Sequence, residues 1–221
     1  TDQVVQSVDA DQTLSDAQLT GAGTDALLNI EQAQLTGGAG DNTIDASGFA
    51  AGPTTLTGGA GADTLTGSAA SDVIDGGAGA DSLVGGAGAD TLTGGAGDDA
   101  IDGGADSDVV AQTVDADQTL SVDLGTDNAV GGEGDAADTT QLTGDGTDAI
   151  SNIESAQLTG GAGDNTIDSS TFTGAVTLSG GAGDDALTAG SGADSLTGGD
   201  GADTLTGGAG VDSLSGDAGD D

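Results

Sequence analysis

Aliphatic residues recur along this chain at intervals of nine. Regular nine-residue repeats begin at residues 58, 67, 76, 85, 94 and 103, and again at 180, 189, 198 and 207. A clean copy, residues 85–93, reads GGAGADTLT. The eighth place of each repeat is always branched and aliphatic, at Leu65, Ile74, Leu83, Leu92, Ile101, Val110, Leu187, Leu196, Leu205 and Leu214. A short fixed period of this kind indicates a solenoid, in which each repeat gives one short strand with an inward-facing eighth place.

The polar positions of the repeat are as regular as the apolar ones. Glycine is the most frequent residue at the first, second and fourth places, where it allows a tight turn. Asp always ends that turn at the sixth place. Two repeats, one in each of two sheets, are expected to close a coil of eighteen residues. Each sixth-place Asp should therefore stack on the Asp eighteen residues further on, as in the pairs Asp63/Asp81, Asp72/Asp90, Asp81/Asp99, Asp90/Asp108, Asp185/Asp203, Asp194/Asp212 and Asp203/Asp221.

Composition makes this stacking unfavourable without an external cation. The chain has 39 acidic residues, no Lys, Arg or His, and a net charge of −39. Such a charge with few aromatic residues is normally typical of disorder. The free energy gained by burying one aliphatic side chain per repeat does not offset the conformational entropy lost when nine residues become ordered. A hard divalent cation between coils would reverse the repulsion, and oxygen-only ligands with flexible geometry favour Ca²⁺ over Mg²⁺.

The same composition excludes several classes of function. Binding to nucleic-acid phosphates requires Lys or Arg, and sites for zinc, haem or iron–sulfur clusters require Cys or His. Nucleophilic triads would lack their base and phosphate-binding loops their Lys. No stretch is long and apolar enough to insert in a membrane as a helix. We therefore predict that the chain is not an enzyme.

The chain is expected to contain two related solenoid units, 1–111 and 112–221. Each opens with irregular coils (1–57 and 112–179) and closes with regular repeats (58–111 and 180–221), and the second unit carries an Asp- and Gly-rich insertion at about 121–139. The irregular parts favour short strands in wider coils, with a small helix over 25–32 as the alternative. Phe49 and Phe172 are expected to fill the core or cap a wide turn.

The pattern Gly-Gly-x-Gly-x-Asp-x-aliphatic-x resembles the repeats-in-toxin (RTX) family. This resemblance covers more than half of the chain and implies a right-handed parallel β-roll, in which sixth-place Asp residues and turn carbonyls hold several Ca²⁺ ions between successive coils. The ligands it implies here are Asp63, Asp72, Asp81, Asp90, Asp99, Asp108, Asp185, Asp194, Asp203, Asp212 and Asp221, with Gly58, Gly76, Gly85, Gly94, Gly180, Gly198 and Gly207.

Some repeats depart from the pattern. Asn42 and Asn165 replace the acid at the sixth place, residues 68–70 (Ser-Ala-Ala) lack the turn glycines, and Asp106 replaces Gly at the fourth place. We expect weaker or altered sites at these turns. The fifth-place acids Asp98 and Asp184 are interpreted as surface charges or groups outside the ligand sphere.

These features predict a calcium-rigidified structural segment of a large secreted or cell-surface protein, such as an adhesin, surface-layer protein or extracellular filament. The alternative is a calcium-triggered folding and secretion module of an exoenzyme or toxin. The first and last residues lie at successive places of the repeat, so copies are expected to be able to join head to tail with little change of phase. The chain is expected to be an excerpt of a longer protein.

Overall fold

The computed structural model describes residues 2–21, 23–113, 118–122, 140–143 and 147–221. Over these residues the chain forms strands joined by turns and bends, and no described residue is helical. The chain divides into two compact units, Thr1–Val110 and Ala111–Asp221. The all-β class predicted from the repeat is confirmed.

Short strands separated by Gly-rich turns make up the first unit. Their bounds are β1 Gln3–Ser7, β2 Gln12–Ser15, β3 Gln18–Thr20, β4 Thr24–Ala26, β5 Gln32–Thr36, β6 Thr43–Gly48, β7 Thr54–Ala60, β8 Thr64–Thr66, β9 Val73–Ala78, β10 Ser82–Ala87, β11 Thr91–Ala96, β12 Ala100–Ala105 and β13 Val109–Thr113, of which the first two residues belong to this unit.

Apart from β3 and β4, these strands form two parallel sheets, and from β5 onward successive strands alternate between them. One sheet has the order β1-β5-β7-β9-β11-β13 and the other contains β2-β6-β8-β10-β12. Within a sheet, Leu83 of β10 lies between Leu65 of β8 and Ile101 of β12. Neighbouring strands of the regular part are thus one coil of eighteen residues apart, so the predicted parallel β-solenoid is confirmed.

The core of the first unit is a stack of eighth-place side chains between the two sheets. Leu65, Ile74, Leu83 and Leu92 are fully buried. Phe49, in the longer connection between β6 and β7, is also buried, as is Phe172 in the second unit. Both phenylalanines therefore lie in the core, as expected.

The irregular N-terminal part forms a wide coil. Gln3 of β1 pairs with Gln32 of β5, and the chain between them includes an antiparallel excursion in which β2 pairs with β3 and β3 with β4. The alternative helix over 25–32 is wrong. The Leu27 N–H donates to the Ala17 carbonyl (2.9 Å) and Asn29 has a φ of 57°. Partners outside the segment thus take a backbone group that a helix would have bonded internally.

The second unit repeats the parallel arrangement. Its strands are β14 Gln118–Val122, β15 Thr140–Thr143, β16 Thr147–Ser151, β17 Ser155–Thr159, β18 Thr166–Asp168, β19 Ala175–Ala182, β20 Ala186–Thr188, β21 Ser195–Asp200, β22 Thr204–Thr206 and β23 Ser213–Ala218. One sheet has the order β17-β19-β21-β23 and the other contains β14-β18-β20-β22. β15 pairs antiparallel with both β14 and β16. Most of the predicted insertion, residues 123–139, lies outside the described residues.

The last coil differs from the expectation that every eighth place is buried. Leu187 and Leu196 are buried, but Leu205 is only half-buried and Leu214 is 48% exposed. β22 and β23 each stand at the edge of their sheet and pair on one side only. A side chain of a solenoid is covered by the coils on both sides of it, and here one side is open.

Candidate metal centres

The sixth-place carboxylates of all but the last coil are buried, although they are acidic groups. Asp63, Asp72, Asp81, Asp90, Asp99, Asp108, Asp185, Asp194 and Asp203 are each at most 5% exposed. Asp212 is half-buried and Asp221 is exposed, because they belong to the last coil. A carboxylate is almost never fully buried unless it is paired, so each of these groups requires a partner.

One oxygen of each carboxylate has a partner in the preceding coil. The backbone N–H of Asp63 donates to Oδ1 of Asp81 (2.7 Å), and that of Asp81 donates to Oδ1 of Asp99 (2.8 Å). The same bond joins Asp72 to Asp90, Asp90 to Asp108, Asp185 to Asp203, Asp194 to Asp212 and Asp203 to Asp221. All seven pairs predicted from the repeat are therefore neighbours in space.

The other oxygen is buried without a hydrogen-bond donor in most of these residues. This is the case for Oδ2 of Asp63, Asp81, Asp90, Asp185, Asp194 and Asp203. An unsatisfied buried polar atom costs about 1–3 kcal/mol, and more when it is charged. Because the described residues place no cationic side chain or N–H on these oxygens, the geometry calls for a cation from solution.

The first-place glycines lie directly beside these oxygens. A methyl group on Gly76 would collide with Oδ2 of Asp81 and with the Gly94 carbonyl oxygen of the next coil. Gly58, Gly85 and Gly180 have the same two kinds of neighbour, a sixth-place Oδ2 of their own repeat and a first-place carbonyl oxygen eighteen residues on. The missing side chain thus leaves a cradle with two oxygens at its edge.

At the other first-place glycines that were predicted as ligands, the nearest atoms belong to the sixth-place carboxylate of the same repeat. An added methyl group would meet Asp99 at Gly94, Asp203 at Gly198 and Asp212 at Gly207. Sequence reasoning missed Gly103, whose carbonyl oxygen faces the cradle of Gly85 and Asp90. Its signal was available, since Gly103 occupies the same first place as the others.

Burial also changes the acidity of these groups. It raises the pKa of Asp81 and of Asp90 to about 6, and nearby carboxylates, including the sixth-place Asp residues one coil before and after, add to the rise. The pKa values of Asp63 and Asp185 are raised from the same cause. The carboxylates are therefore held in an environment that disfavours their charge, which a bound cation would relieve.

The donor set fits Ca²⁺. All candidate ligands are oxygens, and Ca²⁺ takes six to eight oxygen ligands at 2.3–2.6 Å in flexible geometry. Among the described residues no three acidic side chains converge on one point. The carboxylates instead form two columns with one carboxylate per coil in each, so turn carbonyls such as that of Gly94, together with water, must supply the other ligands.

Three turns differ from this arrangement. In the Asn42 and Asn165 turns the second-place N–H of Gly38 or Gly161 donates to the amide oxygen (2.7 and 2.8 Å). In the turn that ends at Asp72, Ser68 donates to Asp72 from both its N–H and its hydroxyl. By contrast, the departure at Asp106 preserves the turn, because Asp106 adopts the left-handed φ (81°) that glycine has at other fourth places.

Other acidic residues accept hydrogen bonds from neighbouring turns. At the fifth place, Asp41 accepts the Ala62 N–H and Asp184 accepts the Ala202 N–H (both 2.8 Å). Asp184 is thus a backbone acceptor of the next coil rather than only a surface charge. Sequence reasoning also missed Asp9, which accepts the Gly40 N–H (3.1 Å) and the Asn42 side-chain amide (3.2 Å). These bonds lower the pKa of Asp9.

Comparison with known proteins identifies the repeat. The model of the RTX calcium-binding nonapeptide repeat, built of four copies, matches residues 34–49, 50–83, 75–110, 157–171, 173–196 and 188–221, which together exceed half of the chain. A search of curated proteins found no match. The described residues contain no helix that is long and apolar enough to cross a membrane. On its matched repeats and its parallel β-solenoid, the chain belongs to the RTX calcium-binding nonapeptide repeat family.

Proposed function

We propose that this chain is a calcium-rigidified structural segment of a large secreted or cell-surface protein. In this proposal Ca²⁺ ions lie between successive coils, each bound by a sixth-place Asp Oδ2 and by the first-place carbonyl of the next coil. The observation that carries it is the row of buried Oδ2 atoms without a donor, at Asp63, Asp81, Asp90, Asp185, Asp194 and Asp203.

The charge balance supports a structural role for the ions. The chain has no Lys, Arg or His to compensate its 39 acidic side chains, so the columns of stacked carboxylates repel one another. Bound Ca²⁺ would convert this repulsion into attraction between coils. Because the cradles form only when the coils stack, the free energy of calcium binding is then part of the free energy of folding.

An extracellular location is consistent with this dependence. Extracellular calcium modules typically bind with Kd values of about 10⁻⁴–10⁻³ M. A chain whose stacked carboxylates require Ca²⁺ would stay unfolded where the ion is scarce and fold where it is abundant. The proposal therefore places the two solenoid units, 1–111 and 112–221, on the outside of the cell.

The proposal includes head-to-tail association of copies. Val211 (87% exposed) and Leu214 (48% exposed) lie on the last coil, and β23 pairs on one side only. A further copy could pair its first strand with β23, since a sheet extends by backbone pairing at its edge strand. Sedimentation velocity in millimolar calcium should show species larger than the monomer, with fewer of them for Leu214→Lys. A monomer at all protein concentrations would contradict this part of the proposal.

Calcium dependence of folding is the direct test. Circular dichroism of the protein should show β structure in millimolar Ca²⁺ and its loss after addition of a chelator, with recovery when Ca²⁺ is restored. Mg²⁺ at the same concentration is the matched control and should not restore the signal. A β signal that is unchanged after complete removal of calcium would contradict the proposed function.

A further inference from the structure

The turn that ends at Asp72 is closed by a serine. Ser68 is buried and its hydroxyl lies 3.0 Å from Oδ2 and 3.1 Å from Oδ1 of Asp72. The Ser68 N–H donates to the same Oδ2 (2.6 Å), and the Ala70 N–H donates to the Ser68 hydroxyl (3.1 Å). The oxygen that has no donor at Asp81 and Asp90 thus has two donors at Asp72.

Ser68 stands where the regular turns have a glycine of positive φ. Gly77 and Gly86, at the same second place, have φ values of 106° and 113°. Side chains rarely adopt this conformation, and Ser68 is not among the residues that do. The peptide before Ser68 consequently directs its N–H at the carboxylate of its own turn.

The same closure occurs where the acid itself is replaced. Asn42 accepts the second-place Gly38 N–H through its amide oxygen and donates through its amide nitrogen to Asp9. The Asp72 turn is the first regular turn of its column, and the Asn42 turn directly precedes the first regular turn of the other column, since the N–H groups of Thr54 and Asn42 donate to Asp72 and Asp63. Both columns therefore begin with a turn whose side-chain oxygen is satisfied by the protein.

We propose that the Asp72 turn binds no calcium and that Ser68 determines this by occupying the coordination position of Asp72 Oδ2 with its hydroxyl and N–H. This inference rests on the calcium sites proposed above. The Ser68 turn provides a metal-independent start, on which the calcium-bound coils of its column, from Asp90 onward, are stacked. A hydrogen-bonded carboxylate with two donors has fewer lone pairs left for a cation, and the positive ends of those donors repel it.

The wild-type protein allows a test without any substitution. Crystals grown in Ca²⁺ and measured at a wavelength where calcium scatters anomalously should show peaks beside Asp81 and Asp90 and none beside Asp72. A peak beside Asp72 as well would overturn the inference and leave the proposed function intact. Absence of peaks beside Asp81 and Asp90 would instead contradict the proposed function, so the two failures are distinguishable.

A gain of one ion is the complementary test. Restoring glycine at both places (Ser68→Gly with Ala70→Gly) should raise the number of Ca²⁺ ions counted by native mass spectrometry by one. Ala69→Gly is the matched control, because Ala69 is exposed in the same turn and gives the backbone similar freedom while keeping the serine. An unchanged ion count in the folded double variant would overturn the inference. If that variant does not fold, the wild-type anomalous map decides.

Discussion

The backbone nitrogen of Asp63 lies 2.7 Å from Oδ1 of Asp81, one coil further along the chain, and donates a hydrogen bond to it. This bond satisfies one carboxylate oxygen from the coil before and leaves Oδ2 directed toward the coil after, where the Gly94 carbonyl lies beside the Gly76 cradle. Asp81 therefore links three successive coils. The link to the preceding coil is a hydrogen bond, and in the proposed function the link to the following coil is a calcium ion.

Replacement of one such acid should remove one ion. We expect Asp81→Asn to bind one Ca²⁺ fewer and to lower the calcium-dependent free energy of unfolding by about 2.7 kcal/mol when calcium is present at 100 times its Kd. Isothermal titration and urea unfolding in calcium measure the two effects. Asp200→Asn is the matched control, since Asp200 is exposed at the end of β21 and its replacement removes the same charge. Equal losses in both variants would show that net charge, not a site, is responsible.

The first-place glycine should tolerate no side chain. Gly76→Ala places a methyl group against Oδ2 of Asp81, whose carboxylate is held by the Asp63 N–H, and against the backbone carbonyl of Gly94. We expect a loss of stability of about 1–3 kcal/mol from the collision, together with weaker calcium binding. Gly48→Ala is the control, because its nearest neighbour would be the Leu14 carbonyl at 3.3 Å. Thermal unfolding at fixed calcium compares them, and a Gly76→Ala protein as stable as Gly48→Ala would contradict the cradle.

The regular part of the fold could be predicted from the sequence because one period determines both strand position and register. With the eighth place inward and eighteen residues per coil, the pairing of Leu65 with Leu83 follows directly. The irregular part could not be predicted in this way. Alternation indicates that 18–26 contains strands, but it does not specify that β3 turns back antiparallel onto β2. That direction depends on the turn between them.

For the candidate sites, too, the sequence predicts the regular features but not the contacts that depend on individual side chains. The sequence places an Asp at every sixth place, and its stacking on the next Asp follows from the period. It also shows that Ser68 interrupts the glycines, but only the structure shows that the hydroxyl reaches Asp72. The role of Asp9 depends on a contact with Asn42 across 33 positions, for which the repeat gives no signal.

The stacked aliphatic side chains should contribute much of the stability that does not come from calcium binding. Leu92 is fully buried between Ile74 and Val110, its partners in the sheet. We expect Leu92→Ala to lower the free energy of unfolding in saturating calcium by about 2–5 kcal/mol, since adjacent coils can close the cavity only partly. Leu28→Ala, at an 80% exposed position, removes the same atoms and should change it by less than about 0.5 kcal/mol. Denaturant unfolding distinguishes the two, and similar effects would contradict the described core.

The calcium-free protein should fold better in acid than at neutral pH. Burial raises the pKa of Asp81 and Asp90 from 3.8 to about 6 in the folded chain. The folded state therefore holds its protons more tightly than the unfolded state, so this contribution to stability is fully present below about pH 3.8 and is lost as the pH rises through about 6.

Protein freed of metal by chelation and desalting should gain β structure by circular dichroism as pH falls from 7 to 4. In the Asp81→Asn and Asp90→Asn double variant this gain should be smaller. With calcium bound the direction reverses, because protons compete with the ion for the same oxygens. A metal-free protein that is no more structured at pH 4 than at pH 7 would contradict the raised pKa values and the burial that causes them.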